Sequence, residues 1–130
     1  MTATATDDDG NADNCSFEVT VNDNEAPTPS CPADITVNND PGLCSAVVSF
    51  AATATDNCDT DVDITYSQNP GTAFPKGTTT VTVTATDDDG NADNCSFEVT
   101  VNDNEAPTPS CPADITVNND PGLCLSLIHI

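Results

Sequence analysis

Apolar and polar residues alternate with a period of two along much of the chain. In "TTTVTVTAT", Thr78 to Thr86, Val81, Val83 and Ala85 fall on one side and threonines on the other. In "CSFEVTV", Cys95, Phe97, Val99 and Val101 share a side. The same alternation recurs in shorter form at Ile35 and Val37, at Ala46, Val48 and Phe50, and at Val62, Ile64 and Tyr66. Successive side chains of a strand point to opposite faces, so each stretch predicts a half-buried β-strand. Turn signals lie between them: "NDPG" at Asn39 to Gly42, "NPG" at Asn69 to Gly71, and "DDDGN" at Asp87 to Asn91. Pro followed by Gly suits a type II turn. No segment carries helical periodicity. Short strands joined by tight turns predict an all-β fold, a β-sandwich.

The pattern repeats. Thr4 to Cys44 and Thr84 to Cys124 are identical over 41 residues, at a spacing of 80. The chain therefore reads as a window onto a tandem array. Residues 1–24 are the closing strands of one repeat, 25–104 a complete repeat, and 105–124 the start of another. Met1 stands where the next copy has Val81, as expected if a valine codon had been taken as a start. After Cys124 the repeat breaks into "LSLIHI", which resembles one frame of a transposase mosaic-end sequencing adapter. Residues 125–130, with the sole histidine His129, are therefore expected to be adapter read-through.

Charge narrows the choice of partners. Twenty-two Asp and Glu face one Lys76, for a net charge of -21. Nucleic acid and anionic membranes both require clustered Lys and Arg, so neither is an expected partner. No apolar run approaches the length of a membrane span. Polyvalent cations suit such a surface, and so does the plainer reading of acidic residues kept for solubility. Five aromatics and no Trp leave a thin core. Seven cysteines in a short chain point to disulfide compensation and an oxidising, extracellular setting. The complete repeat has no histidine, one lysine, one tyrosine and no GxSxG elbow, so no enzyme is expected. Zinc is disfavoured because no CxxC pair occurs.

Five motifs carry a family resemblance: "CPADITV" from Cys31, "TATDNC" ending at Cys58, "FPKGTTTVT" from Phe74, "TATDDDGN" from Thr84 and "CSFEVTV" from Cys95. In this order they resemble the HYR (hyalin repeat) domain, an immunoglobulin-like module. The resemblance implies an immunoglobulin-like β-sandwich in a tandem array, one complete repeat flanked by two partial ones. Four cysteines allow three pairings. The resemblance implies Cys31 with Cys95, leaving Cys44 with Cys58. It also implies an extracellular spacer in cell adhesion, whose neighbours are HYR repeats of the same chain. A module binding glycan or protein through its pole loops is the alternative, as is a stalk displaying an enzyme encoded elsewhere.

In an immunoglobulin-like sandwich the entering linker and two loops share one pole. Here the linker brings Asn22, Asp23, Asn24 and Glu25; one loop brings Asp56, Asn57, Asp59, Asp61 and Asp63; the other brings Asp87, Asp88, Asp89, Asn91 and Asp93. Calcium takes six to eight oxygens from such groups. Asp23, Glu25, Asp56, Asp59, Asp61, Asp87, Asp88 and Asp89 are thus the candidate calcium ligands. "VNDNEAP" also resembles the DxNDNxP calcium linker of cadherins, without its first Asp. "DDDGN" does not match the EF-hand loop, and Asp, Asn and Gly are also ordinary turn residues.

Overall fold

A computed structural model describes residues 1–126. Its strands are β1 (Thr2–Thr6), β2 (Ala12–Ser16), β3 (Thr28–Ser30), β4 (Ile35–Asn38), β5 (Ser45–Val48), β6 (Thr53–Thr55), β7 (Asp63–Tyr66), β8 (Thr72–Pro75), β9 (Gly77–Thr86) and β10 (Ala92–Asn102). The described residues hold no helix. The alternating stretches became β4, β5, β7, β9 and β10. Three strands lacked a readable alternation: β3 "TPS", β6 "TAT" and β8 "TAFP". Each has three or four residues, too few for a period to stand out.

The largest sheet has the order β4-β10-β9-β7. β9 and β10 form a long antiparallel hairpin, β7 adds antiparallel to β9, and β4 adds parallel to β10. β5 pairs with β8 and β3 with β6. One core joins these layers. Val81, Val83, Phe97, Val99 and Val101 come from the large sheet, and Ala46, Val48 and Phe74 from the β5–β8 pair. Phe50 packs edge-on against Phe97, Tyr66 and Phe74, with centroids 4.9, 5.5 and 6.0 Å away. The Tyr66 hydroxyl accepts a hydrogen bond from Ala52 N at 3.1 Å. Four aromatics scattered in sequence therefore gather into one cluster at the core.

The turns follow their residues closely. Asp40 O accepts from Leu43 N across Pro41 and Gly42, and Gly42 adopts a φ of 74°. This is the geometry of the Pro-Gly type II turn, where an L residue would be strained at the second centre. The β9–β10 turn closes with Gly90 N donating to Asp87 O, and Gly90 has a φ of 90°.

The two cysteine expectations part here. Parallel pairing sets Val99 opposite Ile35, and Cys95 and Cys31 each stand four residues earlier. They form a disulfide with a Cα–Cα distance of 6.0 Å. Cys44 and Cys58, expected to pair, are both free and exposed. Topology is the reason. Ser45 pairs with Pro75, beside the start of β9, so Cys44 sits at the pole where the chain leaves the domain. Thr55 pairs with Thr28, so the loop carrying Cys58 lies at the pole where the chain enters. Ten residues of β9 run between the poles, roughly 30 Å at about 3.3 Å per residue. A disulfide requires Cα atoms within about 7 Å.

Identical sequence adopts different structure in its two copies. Residues 17–21 match 97–101, yet only the latter are in a strand. Residues 108–110 and 115–118 match β3 and β4 without pairing. Of the "LSLIHI" tail, 127–130 with His129 lie outside the described residues.

Candidate metal centre

The entry pole is built from three segments. The linker runs into β3, the β6–β7 loop follows Thr55, and the β9–β10 turn follows Thr86. Pairing of β3 with β6, and of Asp63 and Ala92 with Thr86, draws their ends together. Asp23, Asp56 and Asp87 each place a carboxylate oxygen within 4.8 Å of the others.

Each is held by its own contacts. Asp87 is 7% exposed, and its two oxygens accept from Asn91 N at 2.7 Å and Asn91 Nδ2 at 2.8 Å. Burial works against its charge, but the hydrogen bonds from Asn91, Gly90 and Asp89 prevail and hold its carboxyl below the usual range. Asn91 Nδ2 also donates to Asp23 O at 3.1 Å, tying the linker to the turn. Asp56 Oδ2 accepts from Cys58 N and Asp59 N, both at 2.8 Å. Its other oxygen, Oδ1, is buried and has no hydrogen-bond partner. A buried carboxylate oxygen without a donor, beside two more carboxylates, is costly unless a cation completes it. The donors are all hard oxygens, the set calcium takes.

The other candidate residues divide by position. Glu25 Oε2 accepts from Asn57 Nδ2 at 3.0 Å, fastening the linker to the β6–β7 loop next to the triad. Asp59 Oδ2 accepts from Asp88 N at 2.8 Å, bridging the two loops. Asp59 repels Asp88, and together with burial, Asp61, Asp63 and Asp87 it lifts the Asp88 carboxyl above its ordinary range. Asp61 thus acts on the site through charge. Asp89 is exposed on the turn. Two residues at this pole were not among the eight candidate ligands. Asn91, named in the sequence only as one of the residues its loop brings to the pole, is the girder of the triad. Cys58, read as a disulfide partner, lies among Asp23, Asp56 and Glu25, whose charges and burial raise its thiol above its ordinary range, Asp23 foremost.

The exit pole repeats the linker chemistry from the other side. Glu105 Oε2 accepts from Gly42 N at 2.8 Å and from Asn39 Nδ2 at 3.4 Å. Asn104 N donates to Asn39 Oδ1 at 3.1 Å, and Lys76 Nζ stands 3.9 Å from Asp103 Oδ2.

These features define a small all-β module, stapled by one disulfide, with oxygen-rich loops gathered on its entering linker. The family model of the HYR domain matches residues 22–101, more than half of the chain, and the protein belongs to that family. No solved structure matches the chain.

Proposed function

We propose that this chain is a segment of an extracellular rod of tandem HYR domains. It serves as a disulfide-stapled spacer in adhesion, and its seams are stiffened by calcium held between Asp23, Asp56 and Asp87. The observation that carries the reading is the buried, unpartnered Oδ1 of Asp56, a residue whose carboxylate comes within 4.8 Å of those of Asp23 on the linker and Asp87 on the β9–β10 turn. The 80-residue spacing of identical sequence supports the array. The disulfide of a thin-cored domain supports an oxidising environment. Calcium there removes the mutual repulsion of the triad and ties linker to loops, so that bending at the seam costs metal contacts. No catalytic role is assigned.

The test is a thermal melt of the oxidised chain with and without calcium. Extracellular modules bind calcium with Kd of about 0.1–1 mM. At about 10 mM calcium, linkage then predicts a gain of roughly 1.4–2.7 kcal/mol. For a domain of this size that is a rise of about 6–20 °C. An unchanged melting temperature removes the metal from the reading and leaves the plain spacer.

A further inference from the structure

Cys44 and Cys58 cannot meet within a repeat, yet each stands beside a linker. At the exit pole, Cys44 lines one hollow with Asp103, Glu105 and Pro107. Cys44 O accepts from Lys76 N at 2.9 Å, and the Lys76 side chain reaches toward Asp103. At the entry pole, Cys58 N donates to Asp56 Oδ2 at 2.8 Å, the Asp56 and Asp23 carboxylates come within 4.8 Å of each other, and the adjacent Asn57 holds Glu25 of the linker. Asp23 and Asp103 are the same residue of the repeat, 80 positions apart. In an array both thiols therefore flank one linker aspartate, Cys44 from the repeat before and Cys58 from the repeat after.

The linker is also fastened on both sides. Asn104 and Glu105 dock on Asn39 and Gly42 of the domain being left. Asp23 and Glu25, the equivalents of Asp103 and Glu105, dock on Asn91 and Asn57 of the domain being entered. Three residues, Asp103 to Glu105, thus span the seam and set the distance between the thiols. Both cysteines are exposed and free, and each seam receives one of each. Within this chain each seam carries a single partner, Cys58 at the first and Cys44 at the second, which accounts for both being unpaired.

We infer that Cys44 of one repeat and Cys58 of the next form a disulfide across the seam, cross-linking the rod longitudinally. The inference rests on the array reading above. The oxidant is a small-molecule disulfide such as oxidised glutathione. One protein thiolate attacks it, forming a mixed disulfide and releasing one small thiol. The second protein thiolate displaces the other small thiol. The cysteine pair loses two electrons and two protons, and the small disulfide becomes two thiols.

The test lengthens the chain by its own repeat, joining a second copy of residues 45–104 after Cys124 in place of 125–130. Cys15→Ser and Cys124→Ser remove two other thiols. One variant adds Cys58→Ser in the first copy, keeping Cys44 and the second-copy Cys58. The other adds serine at the second-copy Cys58, keeping Cys44 and Cys58 of one repeat. Both are refolded in a glutathione redox buffer, labelled with a maleimide under denaturing conditions and weighed, with glutathione adducts counted as unpaired. The expected result is loss of both thiols in the first variant and retention of both in the second. Retention in the first variant, or loss in the second, overturns the proposal while the Cys31–Cys95 pair and its copy still form. If the copy of that pair fails to form, the array reading falls and the cross-link falls with it.

Discussion

Phe97→Ala and Phe17→Ala make the same change in the same local sequence, and their costs should differ by several kcal/mol. Phe97 is 3% exposed and sits edge-on to Phe50 with centroids 4.9 Å apart. Phe17, its equivalent 80 residues earlier, is 52% exposed. Truncating a buried Phe costs about 3–5 kcal/mol, which includes the lost aromatic contact and the cavity left behind. Truncating an exposed one stays within about 0.5 kcal/mol. At roughly 4–8 °C per kcal/mol for a domain of this size, Phe97→Ala should lower Tm by more than about 12 °C while Phe17→Ala leaves it in place. Urea unfolding of the oxidised chain, followed by circular dichroism, gives the same comparison in free energy. Because so large a loss could unfold the domain outright, Phe97→Leu supplies a milder step, expected at about 1–2 kcal/mol. Equal costs at positions 17 and 97 would refute the claim that sheet partners, and not local sequence, bury this ring.

Replacing Cys31 and Cys95 together with Ala opens a cross-link spanning 64 residues. Chain entropy puts the loss at about 4 kcal/mol, read as a lower urea midpoint. Asp56→Asn should abolish the calcium-dependent rise in Tm, whereas Asp89→Asn, on the exposed turn, should preserve it; calorimetric titration separates the two. Asp88 is pushed above its ordinary carboxyl range, chiefly by Asp59, so the folded state takes up its proton more readily than the unfolded chain does. Asp88→Asn should therefore stabilise the domain at neutral pH, and the gain should vanish below the ordinary value of 3.8, where the carboxyl is protonated in both states. A pH series of melts that shows the gain growing toward acid would contradict this sign. Gly42→Ala meets no atom within 4 Å, so its cost is that of a φ of 74° alone, about 1–2 kcal/mol.

What could be read directly from the chain was local. Turn chemistry survives even in the second copy of this turn, where Leu123 N donates to Asp120 O and Gly122 keeps a φ of 77°. Pro121 and Gly122 need no distant partner for that. Strands do need one: Ile35 and Val37 pair with β10, while Ile115 and Val117, in identical surroundings along the chain, are 54% and 53% exposed and unpaired. Period-two alternation therefore states which residues would share a face and leaves open whether a sheet exists to receive them. The acidic pole was legible because topology sends the linker and two loops to one end. Which three of eight carboxylates converge was not legible, since it depends on Asn91 reaching both Asp87 and the backbone of Asp23. The Cys44–Cys58 expectation failed for a related reason. Counting cysteines by repeat treats the domain as a closed unit, whereas the strand pairings send these two to opposite ends.

On the proposed array, the chain displays its seam twice, once from each side, and shifting one view by 80 residues assembles the joint. From the exit side the linker glutamate, as Glu105, takes Gly42 N on Oε2. From the entry side the same glutamate, as Glu25, takes Asn57 Nδ2 on Oε2. A carboxylate offers about four lone-pair sites, so one side chain has the capacity to accept from both domains at once. The linker aspartate faces a comparable division: Lys76 behind it, Asp56 and Asp87 ahead. The pair with Lys76 is 3.9 Å long with the lysine 62% exposed, worth at most about 1 kcal/mol, and too weak to draw the aspartate away from a cation ahead. The glutamate clamp therefore needs no metal, and on the proposed function the aspartate centre adds to it when calcium is bound. Removing calcium should loosen the seam without disconnecting it, and should lower the melting temperature of the domain carrying Asp56 and Asp87 by the amount that calcium adds.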